Sequence, residues 1–212
     1  MKSILLIFVI FLIVFSCKNR EGKKNSDKNI FYYPNKKAFK DSTHLSNIYL
    51  DSFKNFNQLV DRIHKTLCED SIPVINIETP TEKFRLIQIN GCPNINTSIC
   101  EKTRNVITIT SDSIYVYVND GIGIDNLEET IKNHIINPKK EFKYSSPPEK
   151  AIIQIHVDKK FGIIKTKKLL LKTFNAFNKI NESQSDSLSL KIRFTKFLFK
   201  EIPPPPPPED YK

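Results

Sequence analysis

The sequence predicts an α+β fold: a small two-layer sandwich with a sheet of β-β-α-β-α-β order, helices on one face, and an amphipathic helix added on the N-terminal side. Three features predict it. Two short β-branched and aromatic runs flank a three-residue turn at Val106–Val118. Two stretches with apolar residues at three- and four-residue spacing follow, near Leu127–Ile136 and Ile163–Ile180. Between and after them lie an almost wholly apolar run, Ala151–Val157, and an alternating one, Leu190–Phe197.

The chain opens with Lys2 and an apolar run from Ile4 to Phe15 that stops at Ser16-Cys17. Twelve residues cover only about 18 Å as a helix, short of the roughly 30 Å of bilayer hydrocarbon. A basic start, a short apolar stretch and a small residue before a cut site describe a secretory signal peptide over 1–16. Val14-Phe15-Ser16-Cys17 resembles the lipobox of bacterial lipoproteins, so Cys17 is the expected lipidation site. An uncleaved anchor is the alternative. Residues 17–29 are polar throughout and read as a tether, because such a segment cannot offset its ordering entropy by burial. The expectation is a protein lipid-anchored to a bacterial membrane, in the cell envelope, facing the periplasm or the cell surface.

Residues 30–104 are expected to hold a helix, a strand and a cysteine loop. From Thr43 to Cys68 the apolar positions Leu45, Ile48, Tyr49, Phe53, Phe56, Leu59, Val60, Ile63 and Leu67 recur at helical spacing. Pro73 and Pro80 break the segment after it, and Phe84–Ile89 has strand character. Cys92 and Cys100 flank a loop of polar and turn-forming residues and are the candidate disulfide, contributing about 2–3 kcal/mol in an oxidising compartment. Cys68 is then a free thiol at a helix end, or pairs with Cys92 or Cys100 instead. Neither the cysteines nor the four histidines have metal-site spacing, and no metal or cofactor is expected.

Residues 105–200 carry the sandwich. Val106–Thr110 and Ile114–Val118 read as a hairpin, ended by Asn119-Asp120-Gly121. Asp125 is the expected N-cap of the next helix, with Glu128 reaching back to it. That helix stops at Asn137-Pro138. Ala151–Val157 reads as a central strand, and the last strand is expected to reach the sheet by a right-handed crossover. His156 reads as an ordinary strand histidine and Asp158 as capping the connection to the following helix, with partner binding the alternative for Asp158. Residues 201–212 hold Pro203, Pro204, Pro205, Pro206, Pro207 and Pro208, which force an extended polyproline helix. That tail is either a stiff exposed end or a ligand for an aromatic-lined groove.

A formal charge of +10 invites a nucleic-acid reading. The lysines are scattered among Asn, Ile and Phe without a dense arm, which argues against it, as does export. A solvated lysine-rich surface is the reading, with loose attraction to anionic lipid or wall polymer as the functional alternative.

The hairpin, the Asn119-Asp120-Gly121 turn, the opening Asp125-Asn126-Leu127-Glu128-Glu129 and Ile155-His156-Val157-Asp158-Lys159 together resemble the periplasmic domain of ExbD/TolR-type biopolymer transport proteins. The resemblance covers Val106 to Phe197. It implies a non-enzymatic domain that dimerises and contacts ExbB/TonB-like envelope proteins or the cell wall. Family members also carry an acid in a membrane helix that takes part in proton-driven motion. Ile4–Phe15 contains no acid, so the expected role is that of an accessory or scaffold lipoprotein that does not itself move protons. An unrelated structural or adhesive envelope lipoprotein, binding surface protein or polysaccharide, is the alternative.

Overall fold

In the computed structural model, the described residues are 28–89, 91–93, 102–117, 119–184 and 188–196. Cys17, Cys100 and Pro203–Pro208 lie outside them, as do the expected leader and nearly all of the tether. The class is α+β, built on two sheets.

The first sheet is formed by β1 (Asn29–Tyr33), β2 (Leu45–Tyr49), β3 (Ile72–Glu78) and β4 (Glu82–Ile87) in the order β1-β4-β3-β2. Strand β3 runs antiparallel to β4, and the outer strands β1 and β2 each run parallel to their neighbour. Lys28 and Asn29, expected within the tether, belong to the fold. Asn29 opens β1, and the Lys28 ammonium donates to Glu78 at 3.0 Å. A short helix α1 (Lys36–Asp41) starts where Asn35 Oδ1 accepts from the Ala38 amide at 2.9 Å.

The helix expected over Thr43–Cys68 is corrected by the structure. Only Phe56–Cys68 is helical (α2), and Leu45–Tyr49 is a strand followed by a 3-10 turn at Leu50–Ser52. Leu45, Ile48 and Tyr49 fit both periodicities, and pairing with β3 decides for the strand. Asn55 then starts the helix afresh. Its side chain accepts from Gln58 N at 3.1 Å while Gln58 Oε1 accepts from Lys54 N at 3.0 Å, satisfying two amides at the helix entrance.

Pro73 does not break β3 either. The ladder with β4 begins one residue later, at Val74↔Ile87, so the missing proline N–H leaves no gap in it.

The second sheet holds β5 (Val106–Ile109), β6 (Ser113–Val116), β7 (Asn119–Gly123), β8 (Ile152–Ile155) and β9 (Ile192–Phe194), ordered β7-β6-β5-β8-β9. The expected hairpin is present, and Thr110 Oγ1 accepts from Ser113 N at 3.0 Å inside its turn. Asn119-Asp120-Gly121, expected to end the second strand, instead opens the additional antiparallel strand β7. The β5, β8 and β9 strands are parallel. All four residues of β8 are buried, as befits an interior strand.

Helix α3 (Leu127–Ile136) and helix α4 (Ile163–Glu182) pack on each other. Helix α3 ends where expected, with Asn137 in the left-handed region at φ 46°. Its start differs. Asn126 flanks it without a side-chain cap, Asp125 lies in a preceding 3-10 turn, and the Glu128 carboxylate accepts instead from Lys179 at 2.8 Å.

One core joins both sheets. Leu169, Leu170, Thr173, Phe174, Phe177 and Ile180 form the buried face of α4. Tyr33 from the first sheet stacks on Phe174 at 4.5 Å between ring centroids, and Phe84 stacks on the same ring at 5.2 Å. Each such buried aromatic contributes about 1.5–3 kcal/mol relative to exposure. Burial pushes the Tyr33 phenol strongly up, and its hydroxyl donates to Asn178 Oδ1 at 2.8 Å. Phe56 of α2 meets Phe194 of β9 edge-on at 5.8 Å. Backbone crosses the junction too: Ile163 N donates to Lys54 O at 2.9 Å and Ile89 N to Ile192 O at 3.4 Å.

Candidate functional surfaces

Cys92 is bonded to Cys68, with the α carbons 4.8 Å apart. This corrects the expected Cys92–Cys100 pair, since a sulfur forms one disulfide, and it matches the open alternative for Cys68. Helix α2 ends at Cys68, and the antiparallel β3–β4 turn returns the chain to the same end of the sheet, where Cys92 follows β4. Within the described residues no group of three or more His, Cys, Asp or Glu could hold a metal ion, and no helix is long and apolar enough to cross a membrane.

Asp158 sits on the surface at the exit of β8. Its Oδ1 accepts from the Lys160 amide at 2.9 Å and its Oδ2 lies 3.4 Å from the Lys160 ammonium. The amide hydrogen bond is the main reason its carboxyl is held below the usual range. This geometry is the connection-capping role; the carboxylate remains exposed to solvent as well.

His156 is buried, its Nδ1 3.0 Å from Thr195 O and its ring edge-on to Phe56 at 6.2 Å. It joins β8, β9 and α2. On the same face of the sheet a polar row crosses the strands. Arg193 Nε donates to Gln154 Oε1 at 2.7 Å, and Gln154 Nε2 donates to Thr108 Oγ1 at 3.2 Å.

The largest departure from the sequence reading is a pair of exposed aromatics. Phe142 is 67% exposed and Tyr117 38% exposed, and their rings meet edge-on at 5.6 Å. The Arg104 guanidinium lies 5.5 Å from the Phe142 centroid. Arg104 lies in the 3-10 turn Thr103–Asn105 that leads into β5, and Tyr117 directly follows β6, so the group stands at one end of the second sheet.

The loop that carries Phe142 is firmly built. Buried Asn137 donates through Nδ2 to Glu141 O at 3.0 Å and Ser145 O at 3.1 Å, while its Oδ1 accepts from Glu141 N at 2.8 Å. Tyr144 and Ser145 are buried behind it. Tyr117 itself has φ 56°, a costly conformation for a bulky side chain. No periodicity marks these residues. The signals available were Asn137 before Pro138 and a phenylalanine between Glu141 and Lys143, both ordinary in loops.

At the opposite end of β8 lies a second exposed group. Ile164 is 68% exposed, and the Lys160 and Lys165 ammonium groups lie 5.2 and 5.7 Å from the Phe161 ring. Compared with known proteins, the chain has no matching family model, and no curated protein or solved structure matches it significantly.

Proposed function

We propose that the protein is an exported, lipid-tethered, non-enzymatic binding protein of the cell envelope, acting as an accessory or scaffold beside a membrane transport or energy-transduction complex. The observation that carries this reading is the Cys68–Cys92 disulfide. Such bonds persist in oxidising compartments and are rare in the cytosol, and the Ile4–Phe15 run ending at Cys17 supplies the route and the anchor.

The ExbD/TolR-like reading of the second half draws support from its layout of a hairpin, a helix, a strand parallel to the first, a second helix and a further parallel strand, to which β7 adds an edge strand between the hairpin and the helix. It proposes contact with ExbB/TonB-like proteins and dimerisation through this half. The first sheet lies outside the resemblance and favours the second reading, an envelope lipoprotein with a structural or adhesive role.

The test is a crosslinked pull-down of the full chain from native envelopes, with Cys17→Ala as the unanchored control. Recovery of a channel or transducer of the ExbB/TonB kind, reduced in the control, is the expected result. Wall material or surface proteins alone would replace the transport reading with the structural one. Absence of lipid label on Cys17 would overturn the anchor.

A further inference from the structure

We propose that Arg104, Tyr117 and Phe142 form a contact for anionic phospholipid headgroups, by which the tethered protein sets one end of its second sheet against the membrane. The proposal rests on the lipid-anchor reading above for its setting and on the geometry of the patch for its chemistry.

The geometry holds an unneutralised cation beside exposed aromatic surface. Arg104 is half-buried, its Nε is enclosed without a hydrogen-bond partner, and among the described residues no carboxylate pairs with it. Its recorded contact is the Phe142 ring. A guanidinium laid against an aromatic face is held in orientation and still presents planar donors suited to a phosphate.

Exposed Lys102 is near Arg104 in sequence and exposed Lys139 and Lys140 are near Phe142, while Lys143 is balanced by Glu141 at 3.1 Å. Local charge is therefore positive. Aromatic rings beside basic groups are the composition found at bilayer interfaces, where the rings sit at headgroup level and the cations meet anionic lipid. The pinned loop means that Phe142 is offered to solvent without further ordering cost.

The anchor does not choose the orientation. The eleven residue steps from Cys17 to Lys28 span at most about 40 Å, close to the diameter of a domain this size, so either end of the sheet can reach the bilayer. At the other end the exposed Ile164 stands near Phe161, but there Lys160 is already paired with Asp158. Of the two ends, the Arg104 end sets a guanidinium, a donor fork suited to phosphate, against a ring that is itself largely exposed, whereas the other end offers the Lys165 ammonium beside the half-buried Phe161. Tethering also raises the effective concentration of headgroups to the millimolar range, so a weak patch suffices.

The experiment uses the chain from Cys17 onward as Cys17→Ser, which retains every described residue and carries no lipid. It is mixed with vesicles of three parts phosphatidylcholine to one part phosphatidylglycerol, or of phosphatidylcholine alone, and binding is read by co-sedimentation. The expected result is selective binding to the anionic vesicles. Arg104→Gln should weaken it by about fivefold, and Phe142→Ala should weaken it measurably while leaving the melting temperature unchanged. Ile164→Ala with Lys165→Gln, at the other end, should leave most of the binding intact.

No binding to anionic vesicles, an Arg104→Gln/Phe142→Ala variant that binds like its parent, or an equal loss from the distal variant would each overturn the contact. So would displacement by inorganic phosphate at matched ionic strength, which would assign Arg104 to a soluble anion. Lipid labelling of Cys17 in the full chain is measured separately, so a failed anchor and a failed patch give different results.

Discussion

His134 is the residue at which the fold commits most firmly to one protonation state. It is fully buried on α3, and its Nε2 lies 3.2 Å from the Ile152 carbonyl, which can only accept, so Nε2 carries the proton. Nδ1 is enclosed and makes no hydrogen bond of normal geometry. Burial, the largest influence, pushes the imidazole down to about 4, against partial support from the backbone of Ile152 and of Asn105. The unfolded chain takes up a proton near pH 6.5 and the folded one only near 4. Stability from the neutral form is therefore complete above about pH 6.5, declines as pH falls towards 4, and levels off below. The shift corresponds to about 3 kcal/mol. Half-buried His64 acts with the same sign, lowered by burial and by Lys196 and raised by Asp61. His134→Gln should lower stability at pH 7 by about 1–2 kcal/mol and remove most of the loss between pH 6.5 and 4. Urea melts across that range test it; an unchanged pH slope would clear His134 of the role.

At the scale of elements, the disulfide staples α2, β3 and β4 into one unit. Closing a loop with a sequence separation of 24 contributes about 3 kcal/mol in the chain-entropy account. Cys68→Ser should cost about that much, and peptide mapping of the oxidised protein should yield a Cys68–Cys92 crosslinked pair. A Cys92–Cys100 pair would contradict the fold at this point. Sequence proximity favoured Cys100, but β-carbon geometry decides, and only the β3–β4 return brings Cys92 to the end of α2. The same logic sorts the rest. Elements whose period matched their environment, α3, α4, β5, β6 and β8, were legible because each carries its own apolar face. Strands β1, β2 and β3 were not, because their identity comes from pairing with each other across long separations. Strand β7 was hidden by its composition, Asn-Asp-Gly-Ile-Gly, which reads as a turn. Of the candidate site, Asp158 was legible as a cap. The Arg104–Tyr117–Phe142 group was not, since three separate segments contribute to it.

Across the whole molecule, α4 makes the two sheets interdependent. Its inward face presents Phe174 and Phe177 to Tyr33, and Phe174 also to Phe84. Helix α2 likewise lays Phe56 against Phe194 and His156 of the second sheet. A fragment beginning at Asn105 would keep all five strands of the second sheet yet expose that apolar face of α4, together with Phe194. Losing burial for four or five such side chains at about 1.5–3 kcal/mol each approaches or exceeds the 5–15 kcal/mol that usually separates folded from unfolded. The fragment should therefore show no cooperative thermal transition and should bind a hydrophobic dye, whereas the chain from Lys28 to Lys196 should melt in one step. A cooperative melt of the fragment would mean that the second half stands alone, with the first sheet merely docked on it. In that case Tyr33→Ala should leave the second half's amide protection unchanged; with a shared core, it should raise exchange along α4 around Phe174 and Phe177.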